Sequence, residues 1–128
     1  MRITTPLTFD EAIERVTRTL ADQGFGILTE IDVKATLKKK LDVDYKPYTI
    51  LGACNPTFAH KGLEHETHLG VLLPCNVVVW DEGDHRVIAA MDPAMIPHVI
   101  DNEAMKDVAA DARTRIERAL DAVEKEKL

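Results

Sequence analysis

The stretch from Tyr48 to Trp80 constrains the fold most. It sets two apolar runs, Tyr48–Ala53 and Cys75–Trp80, on either side of a segment that opens with Asn55-Pro56. Asparagine as N-cap with proline at the first helical position starts a helix, so the stretch reads strand, short helix, strand. Tyr48–Ala53 is apolar at nearly every position, as expected of a central strand. Cys75–Trp80 (CNVVVW) is the strongest strand signal in the chain. The turn Asp81-Glu82-Gly83-Asp84 returns it as Arg86–Met91, an antiparallel hairpin. Both cysteines lie in this stretch, and each is followed by asparagine.

The flanking sequence supplies the helices. Thr8-Phe9-Asp10-Glu11 is a capping box, and Phe9, Ala12, Ile13, Val16 and Leu20 then recur on one helical stripe. Gly24 is placed to stop that helix in the left-handed conformation. Phe25–Val33 reads as a strand with Ile27, Thr29, Ile31 and Val33 on one face. Asp32 is placed to cap a helix over Val33–Leu41, with Ala35, Leu37 and Leu41 turned inward. Lys38-Lys39-Lys40 is that helix's solvated end, where cations suit the dipole. In the helix Pro56–Glu66, Phe58, Ala59 and Leu63 form the inward side, and Gly62 signals a close backbone approach. A last helix, capped near Asn102 and running to about Glu124, carries Met105, Val108, Ala109, Ala112, Ile116, Ala119, Leu120 and Val123 at helical spacing. Such a helix is on the order of 33 Å long, so one end is expected to overhang and meet a partner subunit. Arg2–Thr5, ending at Pro6, reads as a short edge strand.

The pattern predicts an α+β fold in two layers. It is a twisted sheet of about four to five strands, with the Cys75–Met91 hairpin antiparallel and helices mainly on one face. Residues 1–128 form one domain, in line with the length. The net charge of −6 and a pI near 5.3 argue against a nucleic-acid or anionic-membrane partner, since either needs a basic face. No apolar run spans a bilayer and the N-terminus lacks a signal-peptide core. A cytoplasmic location with free thiols is therefore expected.

Three segments carry a resemblance to a known family: Gly24–Val33 (GFGILTEIDV), Tyr48–Pro56 (YTILGACNP) and Leu72–Val79 (LLPCNVVV). They resemble domain of unknown function family 302, small single-domain bacterial and archaeal proteins. The resemblance covers most of the chain. It implies a small α+β fold found as a homodimer, and it implies no established activity, substrate or cofactor.

The residues themselves point to one place for chemistry. Cys54, Asn55, Pro56, Cys75 and Asn76 interrupt apolar strands at what reads as one corner of the sheet. The segment Phe58–His68 is placed to close over it. The leading expectation is a homodimer that binds a small molecule there. A second reading makes Cys54 and Cys75 a redox or soft-metal thiol pair. Cys54 would be favoured as thiolate by the helix start beside it, with His60 as a base. The bland alternative is that cysteine is a small apolar core residue and Asn55 only a helix cap. A third reading makes the C-terminal helix an interaction surface. The histidines of the His60–His68 tract match no metal motif; HExxH is absent, and no metal site is assigned. Glu64, Glu66, Asp81, Glu82 and Asp84 read as a solvated acidic tract. There is no GxSxG, P-loop or GxGxxG, so no catalytic residue or cofactor is assigned.

Overall fold

The middle strand of the sheet is Cys75–Asp81, the run that is apolar at both of its alternations. The computed structural model describes residues 1–125. Its strands are β1 (Arg2–Thr5), β2 (Gly26–Asp32), β3 (Tyr48–Cys54), β4 (Cys75–Asp81) and β5 (Arg86–Ala90). They form one five-stranded sheet in the order β1-β5-β4-β3-β2. Every neighbouring pair is antiparallel. The helices are α1 (Phe9–Asp22), α2 (Val33–Leu41), α3 (Pro56–His65), α4 (Ile96–Val99) and α5 (Met105–Lys125), with 3₁₀ turns at Thr67–Leu72 and Pro93–Met95. The α+β, two-layer expectation holds, and β1 is an edge strand as its proline suggested.

The caps are those written in the sequence. Thr8 accepts from the Glu11 N–H, and Glu11 reaches back to the Thr8 N–H. Gly24, at φ 87°, ends α1 while its N–H donates to Ala21 O; a Cβ there would strain the backbone. Asp32 caps α2 through the Ala35 N–H at 2.9 Å. Asn102 caps a turn through the Ala104 N–H at 3.0 Å, and α5 proper begins three residues on, at Met105.

Helices α1 and α5 lie together on one face of the sheet. Ala12, Val16 and Leu20 of α1 and Ala112, Ile116, Leu120 and Val123 of α5 pack with Ile3, Leu51, Val77, Val79 and Ile88 of the strands. The apolar stripe of α5 is buried as far as Val123, so no overhang occurs over the described residues. A smaller cluster of Leu69, Ile96 and Met105 sits beside the main core. Gly62 is buried, and a Cβ on it would collide with Leu69, the close approach its place in the helix suggested.

Alternation along the same strands turns Tyr48 and Ile50 of β3, Val78 and Trp80 of β4, and Val87 and Ala89 of β5 to the opposite face, away from α1 and α5. Two expectations fail on β2 and α2. The ladder slips between Ile27 and Thr29, so Leu28 is an extra residue in a bulge and Ile27 and Thr29 face opposite sides. Ile27 pairs with Ala53 toward the core, whereas Thr29 pairs with Gly52. Helix α2 buries none of its residues; Leu41, expected inward, is 66% exposed.

Candidate functional site

The two Cys-Asn dipeptides have different fates, fixed by the path the chain takes beyond each. After Cys54 the chain leaves the sheet into α3. Asn55 is buried, and its Oδ1 accepts from the Thr57 and Phe58 N–H groups at 3.1 and 3.2 Å. Its Nδ2 donates to Gln23 O at 3.5 Å, tying the start of α3 to the end of α1. Asn55 is thus fully used as a cap. The Thr57 and Phe58 N–H groups at the start of α3 are occupied by the cap.

After Cys75 the chain stays in the strand. Cys75 pairs with Ala53, and both face the core. Asn76 must then point the other way, beside Gly52, and it is exposed. The expected corner therefore loses Asn76, because consecutive strand residues alternate faces. Pro56 is exposed at the first turn of α3. Cys54, half-buried, and Cys75, buried, remain together at the end of β3 and β4.

These two thiols border a crevice of about 40 Å³ where the main core meets the smaller cluster. Phe25, Phe58, Leu69, Ile96 and Met105 supply much of its wall. Helix α3, the 3₁₀ turn Thr67–Leu72 and α4 close its outer side. The wall is almost wholly apolar. Desolvation pushes the Cys75 thiol up to about 11, with the neighbouring Cys54 adding to the shift. Cys75 therefore stays protonated at neutral pH.

The histidines are elsewhere. His60 is exposed on α3, pairs with Glu64 at 2.8 Å and is not among the residues that line the crevice beside Cys54. His68 pairs with Glu66 at 2.9 Å and holds that carboxyl below its usual range. His85 pairs with Asp84 at 2.6 Å. Among the described residues no three His, Cys, Asp or Glu side chains gather as a metal site, and no helix is long and apolar enough to cross a membrane.

Sequence reasoning missed two features. Leu69, Ile96 and Met105 come to the crevice from distant segments, and only their apolar character marks them. An aromatic row on the open face of the sheet was also missed. Tyr48 and Trp80 stack with centroids 5.7 Å apart and planes 7° apart. Tyr45 adjoins Tyr48 at 6.3 Å, and the Arg2 guanidinium lies 5.5 Å over Trp80. The available signal was that β4 is apolar at its outward positions as well as its inward ones.

Comparison with known proteins places this geometry in a family. The family described as "Domain of unknown function DUF302" matches residues 1–123. A crystal structure of an uncharacterized conserved DUF302 protein from Bacillus stearothermophilus is 31% identical in sequence and superposes with a TM-score of 0.89, covering 96% of each chain. No curated protein matches. The chain belongs to the DUF302 family.

Proposed function

We infer that this DUF302 protein is a homodimeric cytoplasmic binding protein that takes a small apolar molecule, or the apolar end of one, in the crevice beside Cys54 and Cys75. The observation that carries this is a gap between two packed clusters whose wall is apolar apart from two thiols. Close packing is the rule in protein interiors, so a crevice at the seam of two clusters is a place where a guest replaces missing contacts.

The volume limits the guest. About 40 Å³ is well below the cavity of roughly 150 Å³ that admits benzene. A larger ligand must lift the closing segments. Those segments carry apolar residues on their outer side: Val71, Met95 and Val99 are 83%, 55% and 64% exposed. A lid held by the small Leu69–Ile96–Met105 cluster opens at lower cost than the main core.

Toluene and indole serve as probes in thermal melts of wild type and of Ala59→Met, which fills the crevice from α3. The expected result is a rise in Tm with probe concentration for wild type and none for the filled variant. An unchanged wild-type Tm, or an equal rise in both, overturns the reading.

A redox or soft-metal role for the thiol pair is the second reading, favoured by the place of Cys54 and Cys75 on the wall of one crevice. Burial stands against it at Cys75, since the thiolate is the reactive form. Thiol labelling of Cys54→Ser and Cys75→Ser against pH separates the two. One fast thiol at neutral pH supports the redox reading; two slow ones remove it.

A further inference from the structure

We propose that two copies of this chain meet through the sheet face opposite α1 and α5, with Tyr48, Val78 and Trp80 at the centre of the contact. The inference rests on the homodimer reading above and gives it a surface.

Composition gives the first argument. A one-sided antiparallel sheet ordinarily alternates apolar inward with polar outward. Here β3 and β4 carry apolar residues on both faces, Asn76 apart, and Tyr48, Ile50, Val78 and Trp80 are only half-buried. Of the outward positions in the paired strands, Arg2 alone carries a charge, in a chain with 30% charged residues. Further exposed apolar residues lie on β2 and the segment after it, with Asp42 and Asp44 exposed among them. Leu28, Ile31, Leu41, Val43 and Tyr45 make up most of the exposed large hydrophobics among the described residues. An apolar region of this extent marks an interface.

Charge and area favour a second copy as the occupant. Each chain carries −6, so two copies approach best through a face without carboxylates, and this face has none on its outward strand positions. Its rim carries both signs, as a self-complementary contact requires. Arg2 covers the Trp80 ring, and Glu82 accepts from Trp80 Nε1 at 2.5 Å while pairing with Lys46 at 3.4 Å. Five strands spaced about 4.8 Å apart, with four to seven residues rising about 3.3 Å each, give a face of roughly 24 by 20 Å. Two such faces bury on the order of 1,000 Å², the lower bound for a specific interface, before α2 is added.

Trp80 is the only tryptophan, so its fluorescence reads this face directly. Light scattering and acrylamide quenching are followed together over a dilution series, for wild type, Val78→Glu and, as a control on the outer side of α5, Arg118→Glu. The expected result is a wild-type mass of twice 14.3 kDa that falls on dilution, with Trp80 quenching rising at the same midpoint. Val78→Glu should dissociate at roughly 100-fold higher concentration, since a buried unpaired charge disrupts a contact centre. Arg118→Glu should match wild type. A wild-type dimer that dissociates with no change at Trp80 overturns this face while leaving the homodimer intact, even if Val78→Glu fails to fold. A wild type that is monomeric throughout sinks both, and leaves a planar ligand or a foreign peptide as the occupant of the aromatic row.

Discussion

The same five strands build two faces of opposite character. Toward α1 and α5 they present Leu51, Val77, Val79 and Ile88, aliphatic side chains with at most 1% of their surface exposed. Away from the helices they present Tyr48, Ile50, Val78 and Trp80, larger on average and half open to solvent. The covered face is finished by this chain. The open one has the composition of a buried surface without a cover from the same chain. Alternation thus states that a strand has an inside, and apolar residues at both alternations state that it has two. The helices of one chain suffice for one of them.

The comparison breaks most readily by truncation. Leu20→Ala, on the covered side, should cost about 2–5 kcal/mol in urea unfolding, through lost transfer energy and the cavity left behind. Val78→Ala on the open side, measured at high dilution, should cost about 1 kcal/mol or less. Equal losses would mean that the faces are packed alike.

Cys75 sharpens the contrast through pH. Burial raises its folded pKa to about 11 from an ordinary value of about 9. Between those values the unfolded chain loses a proton that the folded chain keeps, so stability falls as pH rises. The contribution is present in full below about pH 9 and is lost through pH 11, at most roughly 2–3 kcal/mol. Unfolding measured from pH 8 to 11 should show a flatter decline for Cys75→Ala than for wild type. Parallel slopes would mean that the thiol is well solvated.

The twin asparagines repeat the contrast on a smaller scale than Leu20→Ala. Asn55→Ala removes a cap and should cost about 1–2 kcal/mol. Asn76→Ala, on the exposed face, should stay within about 0.5 kcal/mol. Thermal melts of the two variants decide this, and a costly Asn76→Ala would place a partner on the open face of the isolated chain.

Much of the architecture was legible because it is written locally. The Thr8 box, the Gly24 stop, the Asp32 and Asn55 caps and the hairpin after Asp81 each depend on a few adjacent residues. What failed depends on register. The bulge at Leu28 reverses the faces of β2, and nothing in the local sequence announces it. Leu41 looked inward because helical periodicity assumes a core to face, and α2 has none within the chain. The site was half legible. Cys54 and Cys75 border one crevice, but strand alternation sends Asn76 away and the capping duty consumes Asn55. The crevice wall was not legible, because Ile96 and Met105 join Leu69 only through tertiary packing.

The strand order has a consequence for synthesis on the ribosome. β2, β3 and β4 pair with neighbours in sequence, so that meander can assemble as it emerges. β1 cannot, because Ile3 pairs with Ile88. At a translation rate of about 5–20 residues per second, the first strand waits on the order of 5–15 s for its partner. Through that interval Ile3 and the apolar stripe of α1 have no β5 and no α5 to cover them. The nascent chain is therefore expected to be most exposed to aggregation, and most in need of a chaperone, at β1 and α1.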